Sequence, residues 1–323
     1  MTATLDRSTT DRAAWLEERK GYIGATDLAA ILGMHPYRSA LLVYQDKLGL
    51  GDPEPMSAAM KRGIKMESYV AEFYAEDANV ELRKAPTYRH LEKPHIGVNP
   101  DYEALASDGS IDHLVEMKTH NVFMAKGYGP AGTDEVPEHE VIQCQYQMHV
   151  SGIHRCVLYV MFGHDDLRPY PFDYDPEVGG MLEEAADRFW IDHILAQIPP
   201  DFVGHPSEEE WLKRRFPTDS GQIVYSNPEV DECCAQLGRV KADIDELEAV
   251  ELSLVTRIKA HMADASVLSS SSGQFTWKAT KDTETTDWKA VAVELKAPAD
   301  LIRKHTFSKP GVRRFLTPFR KAK

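Results

Sequence analysis

Leu114-Val115-Glu116-Met117-Lys118-Thr119, with Pro100-Asp101 shortly before it, is the stretch on which the reading of this chain turns. Its apolar and β-branched residues predict a strand. Residues two apart on a strand point to one face, so Glu116 and Lys118 project together, and Asp101 arrives from the preceding segment. Two carboxylates can hold a hard divalent cation such as Mg²⁺, which prefers oxygen ligands and keeps part of its water. A lysine beside them can orient or deprotonate one of those waters. That is the minimum apparatus for metal-assisted phosphodiester hydrolysis.

Context separates this stretch from its duplicates. Glu-x-Lys also occurs at Glu18-Arg19-Lys20 and Glu294-Leu295-Lys296, and Pro-Asp also at Pro200-Asp201. The first two lie in helix-like runs, where residues two apart face away from each other. Pro200-Asp201 has no strand after it. Only Leu114 to Thr119 combines a strand with a preceding Pro-Asp. From the residues alone a second reading stays open: Asp101 as a turn residue after proline, with Glu116 and Lys118 as an ion pair on a solvated strand face.

Around this strand the chain alternates helices and strands. Short helices are predicted at Ala13 to Arg19, Ala25 to Leu32 and Ser39 to Lys47, then a longer one from Ala58 to Asp77 carrying Glu67. Strands follow at Val80 to Arg83 and Thr87 to Arg89, with Ile96-Gly97-Val98 leading into Asp101. A hairpin turns through Ser107-Asp108-Gly109-Ser110. A helix at Glu138 to Val150 carries Gln143, strands run from Arg155 to Phe162 and Leu167 to Tyr174, and a helix from Pro176 to Ile198 ends at Pro199-Pro200. Helices bracketing a mixed sheet make the core α/β or α+β. After Gly204, Trp211 to Phe216 reads as connection. Glu229 to Ala263 is one long helix, with Leu237, Val240, Ile244, Leu247, Val250, Leu254 and Ile258 at three- and four-residue steps. That spacing fits packing on its own domain or a short self-associating coiled coil. A turn at 269–273 leads to a strand at Phe275 to Ala279. The expected organisation is a flexible arm over 1–14, a core over 15–204, and a C-terminal region over 205–323 with long helix, β-hairpin and basic tail.

Composition is that of a globular protein: 323 residues, 42% hydrophobic and 27% charged. No apolar run approaches the ~18 residues a membrane span needs, and the first dozen residues lack an apolar signal-peptide core. No membrane partner is expected. The four cysteines, Cys144, Cys156, Cys233 and Cys234, form no CxxC pair, which argues against zinc or iron–sulfur sites and for a reducing cytoplasm. A net charge of -14 sits uneasily with DNA binding, which normally draws on cations. The charge is uneven, however. Leu301 to Lys323 holds eight Lys or Arg and no acid, and Lys61, Arg62 and Lys65 precede Glu67.

Four spaced motifs now come together. They are Trp15 to Asp27 with Leu28-Ala-Ala-Ile-Leu-Gly33 and His35-Pro36-Tyr37; Arg62-Gly63 to Glu67; Asn99-Pro100-Asp101 with Glu116-Met117-Lys118-Thr119; and Val136-Pro137 leading to Gln143-Cys144-Gln145-Tyr146. In this order they resemble the lambda-type and YqaJ-type alkaline exonucleases, viral recombination nucleases of the PD-(D/E)xK superfamily. The resemblance implies a restriction-endonuclease-like core, with a central mixed sheet flanked by helices, and a C-terminal helix and hairpin appendage. It implies a Mg²⁺-dependent enzyme, with Mn²⁺ as a possible substitute, that degrades linear double-stranded DNA 5′→3′ and leaves 3′ single-stranded overhangs.

By the same resemblance Asp101 and Glu116 ligate metal with the backbone carbonyl of Met117, Lys118 positions the attacking water, and Glu67 completes the site. Arg19, Thr26, Asn99 and Gln143 match a pocket for a 5′-phosphate, where a guanidinium and neutral donors suit the anion. The expected partners are duplex DNA ends, two further copies in a homotrimeric ring, and a phage single-strand annealing protein. Departures exist. Thr26 stands where a serine is common and keeps the hydroxyl, Asn99 replaces a hydroxyl residue with an amide, and Glu140 stands where a tyrosine is common. Two alternatives remain: another PD-(D/E)xK endonuclease or flap nuclease, and a noncatalytic DNA-end-binding recombination scaffold.

Overall fold

The computed structural model describes residues 3–5, 12–50 and 56–307, and the chain divides into two units, Met1–Arg214 and Arg215–Lys323. In the first unit the strands are β1 (Ala3–Leu5), β2 (Glu81–Lys84), β3 (Thr87–Arg89), β4 (Gly97–Val98), β5 (Tyr102–Leu105), β6 (Ile111–His120), β7 (Arg155–Phe162) and β8 (Asp166–Asp173). The helices are α1 (Arg12–Lys20), α2 (Ala25–Ile31), α3 (Ala40–Lys47), α4 (Ala58–Ala78), α5 (Glu138–Ser151), α6 (Pro176–Phe189) and α7 (Pro206–Arg215).

Five strands form the central sheet in the order β2-β5-β6-β7-β8. Every pairing is antiparallel except β6 with β7, which is parallel from Leu114↔Cys156 to His120↔Phe162. A parallel pair needs a crossover, and α5 supplies it. The site therefore lies where β6 ends and the crossover helix returns.

Strand alternation sorts the two faces. On one, Leu114, Cys156, Leu158, Val160 and Phe162 join the core with residues of α2, α5 and α6. On the other, Val115, Met117, Val157, Tyr159 and Met161 pack on Val70, Ala71 and Tyr74 of α4. Both faces of β7 are apolar, as a fully covered strand requires. The central mixed sheet flanked by helices expected from the sequence is thus what the fold shows.

Several local expectations change. Ala3–Leu5, expected within a flexible arm, pairs antiparallel with Arg89 to Thr87; most of the remaining arm lies outside the described residues. The stretch around Trp211 is helical, not a connection. Pro206 occupies the first turn of α7, and Glu208 Oε2 accepts the backbone N–H groups of Val203, Gly204 and His205. The long helix after α5 is divided: α6 stops at Phe189 and continues as a wider turn over Trp190–Leu195.

Unit two contains α8 (Pro228–Met262), a hairpin of β9 (Val267–Ser270) and β10 (Gly273–Thr276), and the short helices α9 (Trp288–Glu294) and α10 (Ala299–Lys304). Asn227 caps α8 through its side chain, which accepts from Val230 N, and proline fills the first turn. Most of the expected basic tail lies outside the described residues. Among the described residues no helix is long and apolar enough to cross a membrane.

A buried ion cluster ties α1, α2 and α3 together. Asp27 meets Lys47 Nζ at 2.6 Å and Arg38 Nη1 at 2.8 Å and also accepts from Gly24 N at 3.0 Å. Lys47 further donates to the Arg19 carbonyl at 2.8 Å. Burial alone would raise the Asp27 pKa, but Lys47, Arg38 and Arg19 outweigh it and hold the carboxyl far below its ordinary value. Lys47→Met leaves a buried carboxylate short of one cation, and should cost about 3–5 kcal/mol in urea unfolding at pH 7. Because the folded pKa is depressed, the Asp27 contribution is complete above about pH 4 and fades as pH falls through the lower folded pKa. The deficit of the variant should therefore shrink in acid.

Candidate active site

β6 carries the polar pair into the core. Glu116 is 5% exposed, and a carboxylate so placed needs hydrogen-bond donors. α5 provides them from one face: Gln143 donates Nε2–H to Glu116 Oε1 at 2.5 Å, and Gln147 donates Nε2–H to Oε2 at 2.8 Å. The two glutamines are four residues apart, one helical turn. Lys118 Nζ lies 3.1 Å from Glu116 Oε1 and donates to Gln143 Oε1 at 2.8 Å. The Gln143 amide thus gives to the acid and takes from the amine.

Lys118 has a second acid. Glu140 Oε2, one turn before Gln143, lies 3.5 Å from Nζ. Burial works against the Lys118 ammonium, but Glu140, Glu116 and Asp101 together hold its pKa above the usual lysine value. Burial also works against the Glu140 carboxylate, and there Lys118, then His120 and His139, hold the pKa well below the ordinary value. Near them, burial and the charges of His139, Arg38 and Lys118 bring His35 down to about 4, so it is neutral at physiological pH.

Asp101 follows β4 and precedes β5, where the β5–β6 register ends at Tyr102↔Val115. Beyond that pair the Met117 N–H is donated to Asp101 Oδ2 at 2.9 Å. Burial raises the Asp101 pKa well above its ordinary value, and the charges of Glu116 and Glu67 raise it further. Glu67, on α4, is paired with Lys84.

The structure brings Asp101, Glu116, Met117 and Lys118 together, with the field of Glu67 reaching Asp101. In the other set, Arg19 Nη2 donates to Thr26 Oγ1 at 3.3 Å. Asn99 accepts from Thr87 Oγ1 at 2.7 Å and donates to Tyr22 Oη at 2.5 Å, while Gln143 faces Glu116. The four residues expected around a phosphate thus do not form one hydrogen-bonded group. His113 bonds Tyr74 and Asp112, and His120 bonds Tyr128. Sequence reasoning missed Gln147 and Glu140 as site residues. Their signal was the spacing Glu140-x-x-Gln143-x-x-x-Gln147, a polar stripe on a helix beside the strand that carries the charges.

The donor set fits a hard cation. Burial, and then the charges of Glu116 and Glu67, oppose ionisation of Asp101, and a divalent cation beside it would offset both. Among the described residues no group of three or more His, Cys, Asp or Glu stands ready to hold a metal ion. Two carboxylates and a backbone carbonyl suit Mg²⁺, which keeps several waters, better than zinc, which takes nitrogen and sulfur ligands.

Fold and site together define a mixed α/β protein with two carboxylates and a lysine at the end of its central strand. Residues 14–154 match the family described as YqaJ-like viral recombinase domain. The protein YqaJ of Bacillus subtilis (strain 168) is 28% identical over 272 residues, which cover 83% of each chain. Protein R354 of Acanthamoeba polyphaga mimivirus is 26% identical over 148 residues, 44% of this chain and 27% of that one. Among solved structures, LHK-Exo in complex with dAMP aligns with a TM-score of 0.44 at 19% identity, over 63% of this chain and 97% of the other. LHK-Exo, described as an alkaline exonuclease from Laribacter hongkongensis, aligns with a TM-score of 0.43 at 18% identity, over the same shares.

A carboxyl with a raised folded pKa contributes most when protonated, below its unfolded value near pH 4, and loses that contribution as pH rises through the folded value. Asp101→Asn should therefore increase the urea midpoint of the metal-free protein at pH 7 and leave it nearly unchanged at pH 4. The same variant should be inactive in any reaction that uses the Asp101 charge.

Proposed function

We propose that this chain is a Mg²⁺-dependent 5′→3′ exonuclease acting on linear double-stranded DNA and leaving 3′ single-stranded overhangs. The observation that carries this reading is the convergence of Glu116 and Lys118 on one face of β6 with Asp101 held on the Met117 N–H. The viral recombinase description of the matching family supports a role in recombination. The polarity and the duplex preference rest on the motif resemblance. So do the homotrimeric ring, the single-strand annealing partner and the cytoplasmic site of action.

Asp101, Glu116 and the Met117 carbonyl would hold the metal. When bound, Mg²⁺ would polarise the scissile phosphate and lower the pKa of a coordinated water. Lys118 remains charged, so it acts by orienting the water and stabilising negative charge as it develops, not as a base. Gln143 and Gln147 fix both oxygens of Glu116, and Gln143 also fixes Lys118. Glu140 keeps the ammonium charged and aimed. Arg19 and Thr26 receive the terminal 5′-phosphate, the guanidinium giving charge and the hydroxyl direction.

Linear duplex DNA carrying either 5′-phosphate or 5′-hydroxyl ends, incubated with Mg²⁺, tests the reading. Wild type should shorten the phosphorylated strand from its 5′ end, and Lys118→Ala should lose about a thousandfold or more in rate. Arg19→Ala should erase the preference for phosphate and keep slow cutting. Cutting without end preference by wild type would remove the pocket assignment. No cutting in Mg²⁺ or Mn²⁺ by folded wild type would leave the end-binding scaffold. Gln147→Leu, which frees one oxygen of Glu116, should lower the rate about tenfold to a hundredfold with a near-normal urea midpoint.

A further inference from the structure

α8 is a 35-residue helix with an apolar seam that the described residues of its own unit leave largely exposed. From Val230 to Ile258 the seam positions recur at alternating steps of three and four: 230, 233, 237, 240, 244, 247, 251, 254 and 258. All are apolar or cysteine except Glu251. That is the a/d pattern of a two-stranded coiled coil over four heptads. Val240 is 52% exposed, Leu247 69% and Leu254 50%. Water on these side chains is unfavourable, and a helix this long draws its stability mainly from packing of such a face.

Charge decides what covers it. In a parallel pair of identical helices, Glu251 would meet its own copy in the seam. Asp243, at a g position, would face Glu248, at the following e position of the other helix. Both contacts are repulsive. In an antiparallel pair with Ile244 of one helix opposite Leu247 of the other, a and d positions alternate across the seam. Leu237 then meets Leu254, Cys233 meets Ile258, and Glu251 meets Val240 instead of another acid. The flanking e positions bring Lys241 of each helix against Glu248 of the other, an attractive contact made twice by symmetry. The same register sets Gln236 beside Arg257.

We propose that α8 is a self-association surface that pairs antiparallel with α8 of a second copy of this chain. The pairing is independent of the nuclease reading and of any ring formed through the first unit.

Sedimentation velocity of the full chain tests it. Lys241→Glu and Glu248→Lys should each weaken the two-fold association about tenfold, because each places like charges across the seam twice. An equimolar mixture of the two variants should restore it, since every crossing contact in the mixed pair is again attractive. Leu247→Asp should abolish it, with helicity checked by circular dichroism. Any mass above monomer that survives in Leu247→Asp reports association through other surfaces. Strengthening by Glu248→Lys would show a parallel pair, because that change relieves the Asp243–Glu248 contact, and would overturn the proposal. A wild-type mass that none of the three variants alters would also overturn it, and would mean that another segment or another protein covers the seam.

Discussion

A carboxylate inside a protein core must be given partners, and β6 puts one there. The two-residue period of the strand sends Leu114, Glu116 and Lys118 to the same face, and the first of them is needed in the core. Leaving Glu116 without donors would cost several kcal/mol, more than any one hydrogen bond returns. The crossover helix α5 resolves this with two amides one turn apart and a second acid for the lysine. One helix therefore closes the parallel β6–β7 connection, packs the core through Cys144 and Met148, and fixes the charged pair.

Two buried acids show how environment sets the sign of a charge's effect. Asp27 sits among Lys47, Arg38 and Arg19, so ionisation stabilises the cluster that joins α1 to α3. Asp101 sits near Glu116 and Glu67, so ionisation opposes folding. The first joins helices through its charge, while the second is favoured in its protonated form by burial and by neighbouring acids. Because Lys47 also holds the Arg19 carbonyl, the stable cluster helps position the helix from which Arg19 reaches Thr26.

The fold was legible wherever a period was clear. β6, β7 and β8 follow from alternation or continuous apolar runs, and α4, α5 and α8 from helical spacing. Asp101, Glu116 and Lys118 were legible because a Pro-Asp and a Glu-x-Lys fell at the end of predicted strands. Gln147 and Glu140 were not. A polar stripe on a helix ordinarily means water, and only the tertiary pairing with a charged strand turns this one inward. α7 was obscured because no serine, threonine, aspartate or asparagine announces its start; instead Glu208, in the first turn, reaches back to the N–H groups of Val203, Gly204 and His205. The sequence reads Asn99 as a donor to phosphate; in the fold its Oδ1 accepts from Thr87 and its amide nitrogen donates one hydrogen to Tyr22, contacts that spacing does not reveal.

Gln143 and Gln147 both meet Glu116 only because they stand one helical turn apart on the crossover helix. Adding one residue inside α5 ahead of Gln143 would turn both amides by about 100° around the helix axis, away from Glu116, while leaving a helix of nearly unchanged composition. Side-chain substitutions on α5 act locally, but a change of length acts on the whole set at once. The interval from Glu140 to Gln147 is therefore a fixed ruler, set by the distances to Glu116 and Lys118.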